Sequence, residues 1–175
     1  MLKKSLALIT IAITFSLAIT PAWSDELPAT VSQSIENTAD ILAGPEAAID
    51  QNSWSLVQNA LGWLGAPYRR GGKSAEQGFD CSGFVGAVYA KTFGLVLPPS
   101  ALSISKVGEP VSFAELKIGD LLFFNTLRRP FSHVGIYLGE GRFIHACSTG
   151  KQIKVDTLDQ YYTKRLNGFR RINLG

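Results

Sequence analysis

Four residues of this chain carry chemistry that works near neutral pH: Cys81, Cys147, His133 and His145, the complete set of its cysteines and histidines. Cys81 stands out by its neighbours. Asp80 before it is a good helix N-cap, able to accept hydrogen bonds from the first free backbone N–H groups, and Phe84, Val85, Val88 and Tyr89 then recur on one helical face. A sulfur at that position sits at the positive end of the helix dipole, so its pKa is expected to fall from about 8.5 toward neutrality. Such a thiol is a candidate nucleophile; a buried structural cysteine is the competing assignment.

The histidines bear on that choice. His133 and His145 both fall in an apparent β-hairpin, Phe131 to Gly139 followed by Arg142 to Cys147. Residues directly opposite in a hairpin point the same way. A two-residue Glu140-Gly141 loop would set His145 opposite Ile136 and away from His133. A three-residue loop of Gly139, Glu140 and Gly141 pairs Leu138 with Arg142, sets His145 opposite Gly135 and brings the two rings together diagonally. We expect the three-residue loop, with Val134, Ile136, Leu138, Ile144 and Ala146 forming the apolar face. Cys81 as nucleophile, His133 as base and His145 as the group orienting His133 then make a triad. Two histidines and two cysteines could also hold zinc, but the short spacing between cysteine ligands is lacking, and no metal is expected.

The elements that would position these groups follow from periodicity. Ser53 to Gly65 is expected to be an amphipathic helix with Trp54, Val57, Leu61 and Leu64 on one stripe. The turn-rich loop Ala66 to Gly72 presents Tyr68 just after Pro67. The Cys81 helix should end near Gly94, with Gly83 and Gly86 giving it a thin surface that a sheet can approach. From Val111 the period changes to two, with strands expected at 111–113, 120–125, the hairpin, 153–155 and 169–172 and a short helix at 158–165. Helices first and a meandering sheet afterwards make the class α+β.

The chain begins with a secretory pattern. Lys3 and Lys4, an apolar run from Leu6 to Thr20, and Ala22-Trp23-Ser24 read as a signal peptide over residues 1–24. The run falls short of the ~20 residues that span a bilayer, and Pro21 ends it, so no stable membrane insertion is expected after cleavage. Residues 25–52 read as an acidic linker with a possible short helix, and residues 53–175 as one domain. That domain holds 15 basic and eight acidic residues. Its field favours anionic partners, and outside the cytoplasm these are wall polymers, lipid headgroups or acidic peptides rather than nucleic acid.

Taken together, five blocks resemble the NlpC-type papain-like cysteine peptidases, bacterial enzymes that cut murein peptides. They are Gly65-Ala66-Pro67-Tyr68-Arg69-Arg70-Gly71-Gly72, Phe79-Asp80-Cys81-Ser82-Gly83-Phe84-Val85, Ile118-Gly119-Asp120-Leu121-Leu122-Phe123-Phe124, Ser132-His133-Val134-Gly135-Ile136-Tyr137-Leu138-Gly139 and Phe143-Ile144-His145-Ala146. The resemblance implies a papain-like fold, N-terminal helices packed on a mainly antiparallel sheet. It implies Cys81 as nucleophile, His133 as base and His145 as third member. Tyr68 and backbone N–H groups would meet the oxyanion, and Asp80 and Ser82 would line the peptide subsite. No cofactor is implied. The implied substrate is peptidoglycan peptide, cut at D-alanyl–diaminopimelate or D-glutamyl–diaminopimelate bonds; the chain is expected to be exported, to the periplasm in the first place and fully outside the cell as the alternative. The chain departs from the pattern after Leu97-Pro98, where an arginine and glutamines are usual and Pro99 and Ser103-Ile104 stand instead. No separate wall-binding domain is expected in residues 1–175, which would leave targeting to the basic surface or a wall-associated protein partner. A catalytically silent wall-binding scaffold with the same fold is the alternative.

Overall fold

The computed structural model describes residues 50–126 and 128–174. The expected signal peptide of residues 1–24, and the expected linker up to residue 49, lie outside the described residues. The linker was expected to run to residue 52, but helix α1 already spans Gln51–Leu61. Its cap is Asp50, whose carboxylate accepts from the Ser53 N–H at 2.9 Å. The chain continues as β1 (Lys73–Ser74) and β2 (Gly78–Phe79), α2 (Cys81–Phe93), a short α3 (Ala101–Ile104), and β3 (Glu109–Val111). It ends with β4 (Leu121–Phe124), β5 (His133–Gly139), β6 (Arg142–Cys147), β7 (Gln152–Thr157), a four-residue α4 (Gln160–Thr163) and β8 (Leu166–Arg171).

The six later strands form one sheet in the order β3-β8-β4-β5-β6-β7. Every pairing in it is antiparallel. This is the expected α+β class, and alternation decides how the sheet is covered. Val134, Ile136, Ile144 and Ala146 point to one face and bury themselves against Phe84, Val85 and Val88 of α2 and Leu56 and Ala60 of α1. The other face carries a smaller cluster of Leu122, Phe124, Phe143 and Phe169, with Tyr162 of α4 packed on it.

Helix α2 buries the four residues its periodicity marks and closes on Gly94 in the left-handed region, φ 67°. Helix α1 is turned from the expected stripe. It buries Leu56, Val57 and Ala60, whereas Trp54, Leu61 and Leu64 are exposed. The partner sets that rotation: small Ala60 lets α2 come close, and the Asn59 amide donates to Thr92 of α2 at 3.0 Å.

One buried ion pair ties the start of β4 to β8. Asp120, 2 % exposed, accepts from Arg171 Nε and Nη2 at 2.8 and 2.7 Å and from the Lys117 N–H at 2.8 Å. Removing one partner leaves the other charge and a backbone donor unsatisfied. Asp120→Ala is therefore expected to cost about 2–4 kcal/mol, toward the low end of a buried pair because Arg171 is partly solvated. Urea unfolding measures it, and an unshifted midpoint would refute the assignment.

Candidate active site

Asp80 does two jobs at the start of α2. Its Oδ1 accepts from the Gly83 N–H at 2.7 Å and the Ser82 hydroxyl at 2.9 Å, and its Oδ2 accepts from the Gly71 N–H at 2.9 Å. The first set caps the helix, and the second pins the loop that carries Tyr68. Gly83 makes room for that loop rather than for the sheet: a Cβ there would lie 2.1 Å from the Gly72 carbonyl oxygen. A Cβ on Gly86 would meet nothing within 4 Å, so its expected close contact is missing.

Cys81 thus opens the helix with its sulfur facing the backbone N–H groups of Val134, Ser82 and Cys81 itself. Those donors favour a thiolate. Burial opposes them, joined by the Asp80 carboxylate, and the thiol is pushed up to about 11. The expected acidic thiol is therefore corrected, because desolvation of the charged form outweighs the helix end. Tyr68 stands in the same cleft, its phenol also raised, first by burial and then by the nearness of Cys81 and Asp80. Arg70, Asp80, Ser82, Pro99, Arg129 and Phe131 line the cleft with them. The Ser82 hydroxyl is already engaged, donating to Asp80 and reaching the Pro99 carbonyl at 3.2 Å.

The hairpin brings its two rings together by a route different from the expected one. Gly139 pairs with Arg142, so the loop has two residues, Glu140 and Gly141, both in the left-handed region at φ 51° and 68°. That is the primed turn that suits strand twist. Tyr137 nevertheless pairs with Phe143 and Ile136 with Ile144, which leaves Leu138 as an extra residue in a β-bulge. The bulge restores the register that a three-residue loop would have given. Gly135 accordingly faces His145, where a Cβ would sit 2.8 Å from the Phe143 ring.

His133 Nε2 and His145 Nδ1 lie 2.6 Å apart, with rings nearly perpendicular at 85°. His145 Nε2 lies 3.0 Å from Asp156 Oδ2 in β7. The same oxygen accepts from the Tyr162 hydroxyl at 2.7 Å, and Lys154 Nζ is 2.9 Å from Oδ1. Both histidines are buried, His145 at 1 % exposure. Burial pushes His133 down to about 3, helped by His145 and opposed by Asp156. It pushes His145 down as well, against the pull of Asp156. For Asp156, burial raises the carboxyl, but hydrogen bonds from Lys154, Tyr162 and His145 outweigh it and hold the group below its usual range.

Among the described residues no hydrogen bond joins Cys81 to His133. Strand β5 brings them near each other, since the backbone N–H of Val134, next to His133, is close enough to favour the Cys81 thiolate. His133 Nδ1 is the ring nitrogen that His145 leaves unengaged. Asp156, Tyr162 and Lys154 escaped the sequence reading. The one usable signal was the alternation of Lys154 and Asp156 with buried Ile153 and partly buried Val155, which places both polar groups on the His145 face. His145, Cys147 and Asp156 also each offer a metal-ligand atom within 4.8 Å of the others. Lys154 already occupies the carboxylate there, so the cluster reads as a hydrogen-bonded network.

Residues 65–171 match the model of the NlpC/P60 family. Among curated proteins, the chain is 40 % identical over 141 residues to murein DD-endopeptidase MepS/murein LD-carboxypeptidase of Escherichia coli strain K12, spanning 81 % of this chain and 73 % of that one. It is 40 % identical over 120 residues to gamma-DL-glutamyl hydrolase of Bacillus subtilis strain 168, spanning 67 % of this chain and 29 % of that one. For this and other relatives the chain spans about half their length or less. Among solved structures, the NlpC/p60 domain of peptidoglycan hydrolase SagA superposes with a TM-score of 0.61 at 32 % identity, over 69 % of this chain and 98 % of that domain.

Proposed function

The chain belongs to the NlpC/P60 family, and on that premise we propose that it is an exported, periplasmic cysteine endopeptidase hydrolysing peptide bonds of murein. The observation that supports this best is the His133–His145 pair, 2.6 Å apart across β5 and β6, with Val134, the neighbour of His133, close enough for its backbone N–H to favour the Cys81 thiolate. The two candidate bonds, D-alanyl–diaminopimelate and D-glutamyl–diaminopimelate, come from the resemblance of the sequence blocks; relatives named murein DD-endopeptidase and gamma-DL-glutamyl hydrolase are in keeping with peptide-bond hydrolysis. Export rests on the signal pattern of residues 1–24. No helix among the described residues is long and apolar enough to cross a membrane.

In this mechanism thiol and imidazole rest neutral. A bound peptide draws them together, the S–H proton passes to His133 Nδ1, and the sulfur attacks the scissile carbonyl carbon. Backbone N–H groups at the start of α2 and the Tyr68 hydroxyl meet the developing oxyanion. His133 then gives its proton to the departing amine, leaving a thioester on Cys81. Water, deprotonated by His133, attacks the thioester; the C–S bond breaks, the acid is freed, and the proton passes from His133 to the departing sulfur, restoring the neutral thiol and imidazole. Asp80 holds the loop and the nucleophile's helix together, and Ser82 holds Pro99 at the cleft wall.

Digestion of purified murein by the mature chain tests the reading: new amino and carboxyl ends on peptide fragments, read by mass, are the expected result. No release would favour the scaffold. Two guanidinium groups line the cleft without an ion pair among the described residues, Arg70 and Arg129, and murein stems are rich in carboxylates. Replacing both by alanine is expected to raise KM about 5–20-fold with kcat nearly kept, as loss of binding shared by ground and transition states does. A fall confined to kcat would argue against carboxylate recognition.

A further inference from the structure

Asp156 faces His145 from the neighbouring strand. The β6–β7 register sets Lys154 directly opposite His145 and Asp156 opposite Phe143, so the carboxylate meets His145 Nε2 diagonally across the sheet. Tyr162, carried by α4 behind its Asp159 cap, closes on the same oxygen at 2.7 Å. An ionised carboxylate can only accept hydrogen bonds, whereas a neutral imidazole donates from one nitrogen and accepts at the other. A chain of such groups has one consistent arrangement of protons.

We propose that Asp156 is a positioning residue that sets the tautomer of both histidines and so leaves the lone pair of His133 on Nδ1, the nitrogen assigned above to take the Cys81 proton. The carboxylate requires the proton of His145 on Nε2. His145 Nδ1, 2.6 Å from His133 Nε2, then has only a lone pair to offer, and His133 must carry its own proton on Nε2. The base nitrogen is left as Nδ1. With the opposite tautomer His133 would point an N–H at the thiol and could not take its proton. Asp156 itself gains no proton at any step; it acts through His145. Lys154 beside it supplies the positive charge that a protonated His145 would otherwise provide. Asp156 lies outside the three residues assigned above to catalysis, and its part rests on the proposed peptidase reaction.

The test reads the tautomers directly. The chain contains only two histidines, so a sample of the full mature chain labelled with 15N in the imidazole gives two ring systems. Long-range proton–nitrogen couplings near pH 7 should show both histidines protonated at Nε2 alone. In Asp156→Ala, His145 should populate both tautomers, and kcat on a purified muropeptide should fall about 10–100-fold, as for other outer partners of functional histidines, while KM changes less than about twofold. Tyr162→Phe, which keeps the carboxylate, should retain the wild-type tautomers and lose less than about fivefold. A wild-type His145 protonated at Nδ1, or at both nitrogens, overturns the proposal. So does an Asp156→Ala chain with unchanged tautomers and kcat. Were that variant not to fold, the wild-type spectrum decides alone. A wild-type chain without peptidase activity would refute the reaction, and the spectrum would still decide the tautomer.

Discussion

Cys81→Ala is expected to lower release of murein peptides by at least about 10³-fold, to the level of a chain without a nucleophile. Cys81→Ser should fare little better, since a hydroxyl is a far weaker acid than a thiol and His133 is a weak base, pushed down to about 3 by burial. His133→Ala should match Cys81→Ala, and the double variant should be no worse than either single one, because groups that act as a unit lose their effect together. His145→Ala is expected to be milder, about 10²-fold, since it orients the base rather than touching the substrate. Mass analysis of murein digests measures all of these. Fragments that persist undiminished with Cys81→Ala would sink the thioester mechanism.

Alkylation of the resting thiol should climb steeply with pH. A thiol pushed up to about 11 is almost wholly protonated at neutrality, and its thiolate fraction rises about tenfold per pH unit below that value. Iodoacetamide should therefore modify Cys81 on the order of 10³ times faster at pH 10 than at pH 7, with no plateau between them. The sign follows from the raised pKa: burial and the Asp80 carboxylate favour the neutral form, so base is needed to uncover the nucleophile. A preformed thiolate–imidazolium pair would instead react at a nearly constant rate across that range. The measurement is made on Cys147→Ser, which leaves Cys81 as the only thiol. A flat profile would show that charge separation precedes substrate binding.

Both results bear on one design feature. The site is dry: His133 and His145 are enclosed by Phe124, Phe143 and Tyr162, with ring centroids 6.1, 4.9 and 5.8 Å away. Separating charge there is costly without a substrate to share it. On the proposed mechanism, a cleft that keeps its thiol and imidazole neutral until peptide enters would avoid that cost and protect Cys81 from oxidation, which proceeds through the thiolate.

Much of this was legible in the residues. Asp80 before Cys81, the helical spacing of Phe84, Val85, Val88 and Tyr89, and Gly94 at the end are short-range signals, and α2 follows them residue for residue. The apolar face of the hairpin follows from strict alternation. Where the reading failed, a distant partner intervened. Helix α1 turned because α2 selected Ala60, and the hairpin kept its register through a bulge at Leu138, which no rule about loop length could anticipate.

The sequence by itself determined the Cys81 helix, the α+β class and the apolar face of the hairpin, because capping and period act over a few residues. Tertiary structure alone decided the rest. The partly buried setting of Cys81 beside Asp80 pushes its thiol toward the neutral form, and Asp156 and Tyr162 arrive beside His145 to hold its ring. Those depend on strands and a helix that meet only when the sheet closes, so no local pattern announces them.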